Sequence, residues 1–254
     1  MLKIKDLTVS INEKIILKDF NLDIEDSKVY AIMGPNGVGK STLSRVIMGD
    51  KNYHVESGDI LFNDESILKL TTDERSRKGI FLAMQYPMEI EGITNQDFLK
   101  TALSSKENKP VKLYDFIMKC ETECDNLKMD KSLIHRSLNV GFSGGEKKKN
   151  EVLQIKLLKP ELIILDELDS GLDVDALKIV SKNINDYKKD NPNTSIIIIT
   201  HHQKLLDYIH PDNVIIMGNG KILANGDYSL STEIEENGYE KYMTNIITKD
   251  HEYE

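Results

Sequence analysis

Hydrophobic and polar positions alternate through the first thirty residues (Leu2, Ile4, Leu7, Val9 and Ile11, then Ile15, Ile16, Leu17, Leu22 and Ile24). This pattern predicts several short strands with one face buried, joined by polar turns such as Asn12-Glu13-Lys14. A further strand is expected at Gly58-Asp59-Ile60-Leu61-Phe62, and a helix from Thr71 to Gly79 with Thr72 as its cap. Ile80–Gln85 forms a short apolar run, read as a buried strand that ends at Gln85, before Pro87 and Gly92 break the chain. Val29–Met33 is an apolar run read as a strand, while Leu162–Leu165 and Ser195–Ile199 are continuous apolar runs with the pattern of parallel strands buried on both faces. A helical segment, 175–188, lies between the last two, so the order is strand, helix, strand.

Residues 94–139 change character: they are more charged, helix-like, and interrupted at 104–110. A second helix-like stretch runs on to Leu158 and stops before Pro160. The expectation is one α/β domain over residues 1–254, with a core of about 1–87 and 159–254 and a helical subdomain inserted at about 88–158.

Composition narrows the partners. With 42 acidic and 33 basic residues the formal net charge is −9, which argues against a nucleic-acid-binding face. No apolar run reaches the eighteen residues needed to span a bilayer, so no direct membrane insertion is expected. The first residues lack a signal-peptide core, which places the chain in the cytoplasm, or in the plastid stroma if a targeting segment has been removed. The only cysteines, Cys120 and Cys124, share one helix face but lack further ligands nearby, and are read as ordinary helix residues.

The chemistry concentrates at Gly34-Pro35-Asn36-Gly37-Val38-Gly39-Lys40-Ser41, which fits G-x-x-x-x-G-K-[ST] between a strand and the helical run that begins at Thr42. Glycines let successive N–H groups converge on one anion, and the helix dipole adds positive potential there. Lys40 is placed to reach the β- and γ-phosphates of a nucleotide, and Ser41 to hold Mg²⁺. Leu162–Leu165 is followed by Asp166 and Glu167, two carboxylates at the carboxyl end of a strand. Asp166 suits the metal sphere and Glu167 the polarisation of an attacking water. Ser143-Gly144-Gly145-Glu146 opens another helix and offers a second anion-binding N-terminus. The run Lys147-Lys148-Lys149 reads as a solvated helix face.

In this order the motifs resemble the ATP-binding cassette family along essentially the whole chain. The resemblance extends to Gln85 as the glutamine-loop residue, Ser170-Gly171-Leu172-Asp173 as the D-loop, and His201 as the switch histidine after the last apolar strand. It implies a cassette fold, with a RecA-like parallel-sheet core, an N-terminal antiparallel β-layer and an inserted helical subdomain. It further implies ATP hydrolysis with Mg²⁺, Gln85 contacting the nucleotide and its metal, and a transient ATP-dependent homodimer. In that dimer Ser143, Gly144, Gly145, Glu146 and Asp173 act on the other subunit's nucleotide.

Within the family, the stretches at Met33–Ser44, Gln85–Ile90, Asn139–Lys148, Asp169–Lys178 and Thr200–Gln203 look like the SufC subfamily of the SUF iron–sulfur cluster assembly machinery. This implies SufB/SufD-like scaffold partners, with the nucleotide-binding subunit of a membrane transporter as the alternative. Met88, Ile90, Ile93 and Phe98 are the expected apolar anchors for that partner. One departure concerns the base. Many cassettes carry an aromatic residue near Ile11, and here the position is aliphatic.

Overall fold

A computed structural model describes residues 1–243. The chain opens with two long antiparallel strands, β1 (Leu2–Ile11) and β2 (Lys14–Ile24), rather than several short ones. Register shifts along the pair, with Asp6 and Asp19 at positive φ, break the alternation without ending the strands. β3 (Val29–Met33) follows, then α1 (Lys40–Ile47), β4 (His54–Phe62), β5 (Glu65–Ser66), α2 (Thr72–Arg77) and β6 (Ile80–Ala83). The cap of α2 is Thr71, not Thr72: its side chain and that of Glu74 form a capping box. β6 stops at Ala83, so Gln85 lies just beyond the strand.

The helical segment comprises β7 (Ile90–Thr94), α3 (Asn95–Glu107), α4 (Leu113–Asn126), a short 3₁₀ turn, β8 (Ser137–Leu138) and α5 (Gly144–Leu158). Helical periodicity hid the small β7–β8 ladder, because only Ile90–Leu138 and Thr94–Ser137 pair. The chain returns to the core through β9 (Leu162–Asp166), α6 (Val174–Asp190), β10 (Ser195–Ile199), α7 (Gln203–Tyr208), the hairpin β11 (Asn213–Gly218)–β12 (Lys221–Gly226), and α8 (Ser229–Asn237).

Two sheets result. β2-β1-β4-β5 form the antiparallel layer, and β12-β11-β3-β10-β9-β6 the central sheet, parallel apart from β12. This is the α/β architecture expected from the sequence: parallel core, N-terminal antiparallel layer and inserted helices. The continuous apolar strands explain themselves once their two faces are separated. Tyr30, Ile32, Ile164, Ile197 and Ile199 join the core beneath the antiparallel layer, while Ala31, Met33, Leu165, Ile196 and Ile198 join the core beneath the helices. Successive residues point to opposite faces, so a strand buried twice must be apolar throughout. Cys120 and Cys124 lie in the helical core, where burial pushes their thiols up to about 12 and about 11. Neither is a thiolate at neutral pH.

Arg75, buried in α2, fixes the far end of α1. Its Nη1 donates to the carbonyls of Val46 and Ile47, each at 2.8 Å, while Nε donates to Leu70 at 3.0 Å and Nη2 to Leu68 at 3.2 Å. Carbonyls at a helix C-terminus lack intrahelical donors, and a cation there also suits the dipole. Arg75→Met should therefore lower the unfolding free energy by about 2–4 kcal/mol. Urea titration with an unchanged m-value is the check, and a loss below about 0.5 kcal/mol would mean that water replaces the guanidinium.

Candidate nucleotide-binding site

Parallel pairing aligns the carboxyl ends of four strands. Ile199 is in register with both Ile32 and Asp166, and Ala83 with Leu165. The loops leaving β3, β6, β9 and β10 therefore emerge at one edge, carrying the phosphate loop, Gln85, Glu167 and His201. There they line a cleft of about 510 Å³ with Asn36, Gly37, Gly39, Lys40, Ser41, Thr42, Arg45, Ile11, Ile16 and Tyr53.

Backbone geometry demands the glycines. Gly34 packs so closely on Met217 that a Cβ would sit 2.3 Å from its carbonyl oxygen, and Gly39 caps α1 at φ 105°. Val38 faces inward and is buried, so it shapes the loop from behind. Lys40 Nζ donates to the carbonyls of Gly34 at 2.7 Å and Pro35 at 2.8 Å, which holds the ammonium across its own loop. Burial lowers its pKa, and the nearby carboxylates of Glu167 and Asp166 oppose that shift.

Asp166 is almost fully buried and accepts from Ser41 Oγ at 3.2 Å and Ser44 Oγ at 2.8 Å. Burial raises its pKa, with the two hydroxyl donors pulling the other way. Ser41 and Asp166 form a hard-oxygen set beside the phosphate loop, with Gln85 lining the same cleft. That suits Mg²⁺, which takes few protein ligands and completes its shell with phosphate and water. Among the described residues, no group of three His, Cys, Asp or Glu could hold a metal by itself.

Glu167 adopts φ 49°, a left-handed conformation that a non-glycine residue holds only where its surroundings impose it. Its N–H donates to the Ile199 carbonyl at 2.9 Å. Gln85 Nε2 donates to Glu167 Oε2, and His201 Nδ1 stands 3.7 Å from Oε1. Two residues that are distant in sequence, Gln85 and His201, thus converge on the Glu167 carboxylate.

The second helix end stays outside this cleft. Ser143 caps α5, its Oγ accepting from the Glu146 N–H at 3.3 Å, while Glu146 Oε2 takes both the N–H and the hydroxyl of Ser143 at 2.8 Å. Gly144 lies against the Gly171 carbonyl, and Asp173 caps α6 by accepting from the Ala176 N–H at 2.7 Å. The Ser143–Glu146 helix end and the D-loop therefore neighbour each other, outside the cleft that the chain's own phosphate loop lines.

Sequence reasoning missed several residues. Ser44, three positions after Ser41 on the same helix face, shares Asp166. Lys148 is buried rather than solvated: it donates to the Met84 carbonyl at 2.5 Å and pairs with Glu151 at 3.3 Å. Glu151 accepts from the Met84 N–H at 2.7 Å, and burial raises its pKa to about 7. The i,i+3 spacing of this pair was the available signal. Phe98 packs on the helical core and is not a surface anchor, whereas Tyr86, Met88 and Ile93 are exposed.

The family model described as "ABC transporter" matches residues 17–170. "Probable ATP-dependent transporter ycf16" of Trieres chinensis is 51% identical over 247 residues, covering 94% of this chain and 96% of that protein. "Vegetative protein 296" of Bacillus subtilis (strain 168) is 48% identical, covering 94% and 92%. In fold, the chain is similar to the ATP-binding cassette MJ0796, solved as a dimer in a post-hydrolysis state bound to ADP and Pi. The TM-score is 0.78 at 19% identity, over 90% of this chain and 99% of that one. The protein belongs to the ABC transporter family and is one of its ATP-binding cassettes, an ATPase that works with ATP and Mg²⁺.

Proposed function

We propose that this cassette is the ATP-hydrolysing subunit that drives conformational change in a SufB/SufD-type scaffold during iron–sulfur cluster assembly, in the cytoplasm or a plastid stroma. The observation that carries this reading is the segment after Gln85. Tyr86 and Met88 are 75% and 65% exposed, and Pro87 lies between them. This exposed apolar stretch is pinned in place: Asn139 Nδ2 donates to the Met88 carbonyl at 2.8 Å, and Lys147 pairs with Glu89 at 2.6 Å. It lies within a stretch that resembles the SufC subfamily, and large exposed apolar side chains on a fixed backbone suit a protein partner. Among the described residues no helix is long and apolar enough to cross a membrane. The second reading, a transporter subunit served by a membrane protein, draws on relatives named "Probable ATP-dependent transporter ycf16" and "Probable ABC transporter ATP-binding protein SpyM3_0208".

In either case the site residues have the same roles. Lys40 and the loop from Gly34 to Thr42 clamp the phosphates, and Ser41, Gln85 and Asp166 hold Mg²⁺. When bound, that ion would neutralise negative charge on the phosphates. Glu167 polarises the attacking water, kept in place by Gln85, and His201 contacts the γ-phosphate from the other side. Ser143, Gly144, Gly145, Glu146 and Asp173 complete the site of a second copy in a head-to-tail dimer. Two phosphate-binding ends that do not share one cleft are satisfied by symmetric pairing. The division into a core of about 1–87 and 159–254 and a helical subdomain of about 88–158 belongs to the same reading.

Lys40→Ala should abolish tight ATP binding, whereas Glu167→Gln should retain binding and lose hydrolysis by a factor of about 10² or more, because only a transition-state group is removed. Phosphate release alongside equilibrium titration separates the two, and a near wild-type rate for Glu167→Gln would reassign the carboxylate. Glu167→Gln with saturating ATP should also sediment as a dimer, and a monomer with the scaffold present contradicts the composite site. Affinity capture from lysate decides the partner. Soluble scaffold proteins are expected, lost on Met88→Ala with Ile90→Ala while basal nucleotide binding persists. Recovery of membrane permeases alone overturns the cluster-assembly reading.

A further inference from the structure

The phosphate end of the cleft is fully provided for, but β1 presents only Ile11 where a purine ring would rest. A ring nevertheless reaches that wall from elsewhere in the chain. After α1 the backbone turns at Asp50, which is held by Arg45 Nη1 at 3.7 Å and accepts from the Asn52 N–H and Nδ2 at 3.0 and 2.8 Å. The Tyr53 N–H donates to the Asp50 carbonyl at 3.2 Å, and β4 then begins. β4 pairs antiparallel with β1, with His54 opposite Ser10. Tyr53 immediately precedes His54 and Ile11 immediately follows Ser10, so both lie at this end of the ladder. Both line the cleft, together with Ile16. Tyr53 is half-buried and packs on the core beneath the antiparallel layer, so its ring is held rather than free. Among the described residues lining the cleft, the only other ring is the His201 imidazole, which stands with Glu167 at the phosphate end.

We propose that Tyr53 is the residue on which the nucleotide base stacks, with Ile11 and Ile16 completing an apolar wall. This rests on the reading of the cleft as the ATP site. The ring's position replaces the one missing at Ile11 by crossing one strand. Every base has a π-face, so stacking adds affinity without choosing among purines. A Tyr53 platform therefore strengthens ATP and GTP alike.

Isothermal titration of the full-length protein with ATP, GTP and inorganic triphosphate tests this, with circular dichroism to confirm folding. The wild type should bind ATP and GTP within about tenfold of each other. Tyr53→Ala should weaken both by about 5- to 100-fold and leave triphosphate within about twofold, while Tyr53→Phe stays near wild type. The proposal is overturned if Tyr53→Ala binds ATP like the wild type, or if triphosphate affinity falls as far as that of ATP, since the ring then only supports the loop. A wild type that binds neither ATP nor triphosphate overturns the cleft reading as well, which separates that failure from failure of the stacking role alone.

Discussion

One buried carboxylate holds the two halves of the site together. Asp166 ends β9, and Ser41 and Ser44 belong to the first turns of α1, more than a hundred residues earlier. Removing a carboxylate from water is costly, and the two hydroxyl donors offset part of that cost. Moving α1 away would leave the carboxylate buried without partners. The helix that presents the phosphate loop is therefore fixed relative to the strand that presents Glu167. The other arrangements follow from this anchor: Arg75 closes the opposite end of α1, Gln85 and His201 converge on Glu167, and Tyr53 rises from the turn that follows the same helix.

Much of the site was legible because its chemistry is local. The phosphate loop needs contiguous glycines before a helix, and two carboxylates after an apolar strand are visible as a string. The central sheet could be read for the same reason, since strands buried on both faces leave continuous apolar runs such as Ile196–Ile199. Features built from pairs of segments were not legible. Tyr53 and Ile11 line one cleft only because the strand that follows Tyr53 pairs with β1, and nothing local to either residue records that pairing. Lys148 sits in a run of three lysines that resembles a solvated face, and only Glu151 and the Met84 backbone make its burial tolerable. Helical periodicity from residue 94 onward concealed the β7–β8 ladder, whose two bridges leave no alternating pattern. The C-terminal hairpin and α8 carried no chemical motif and were not anticipated.

The inserted segment is tied together by buried amides, and joined to the core by a buried lysine and glutamate. Asn95 Nδ2 donates to Asn150 Oδ1 at 2.5 Å, Asn150 Nδ2 to Asn139 Oδ1 at 2.9 Å, and Asn139 to the Met88 carbonyl. Lys148 and Glu151 together hold both polar groups of the Met84 backbone. Buried amides and charges tolerate little misalignment, because each lost bond leaves a polar atom without solvent. α5 is thereby fastened on either side of Gln85.

That fastening makes α5 a rigid rod. At fifteen residues it spans roughly 22 Å, with Ser143 and Gly144 at one tip and Lys148, Asn150 and Glu151 along its shaft. Leucine contacts can slide by fractions of an ångström at small cost, whereas directional hydrogen bonds cannot slip without breaking. The Met88 carbonyl is linked to the rod by two such hydrogen bonds in series, through Asn139 and Asn150. The tip that carries Ser143 and the stretch beside Gln85 therefore belong to one hydrogen-bonded unit, seated on the Met84 backbone next to the cleft.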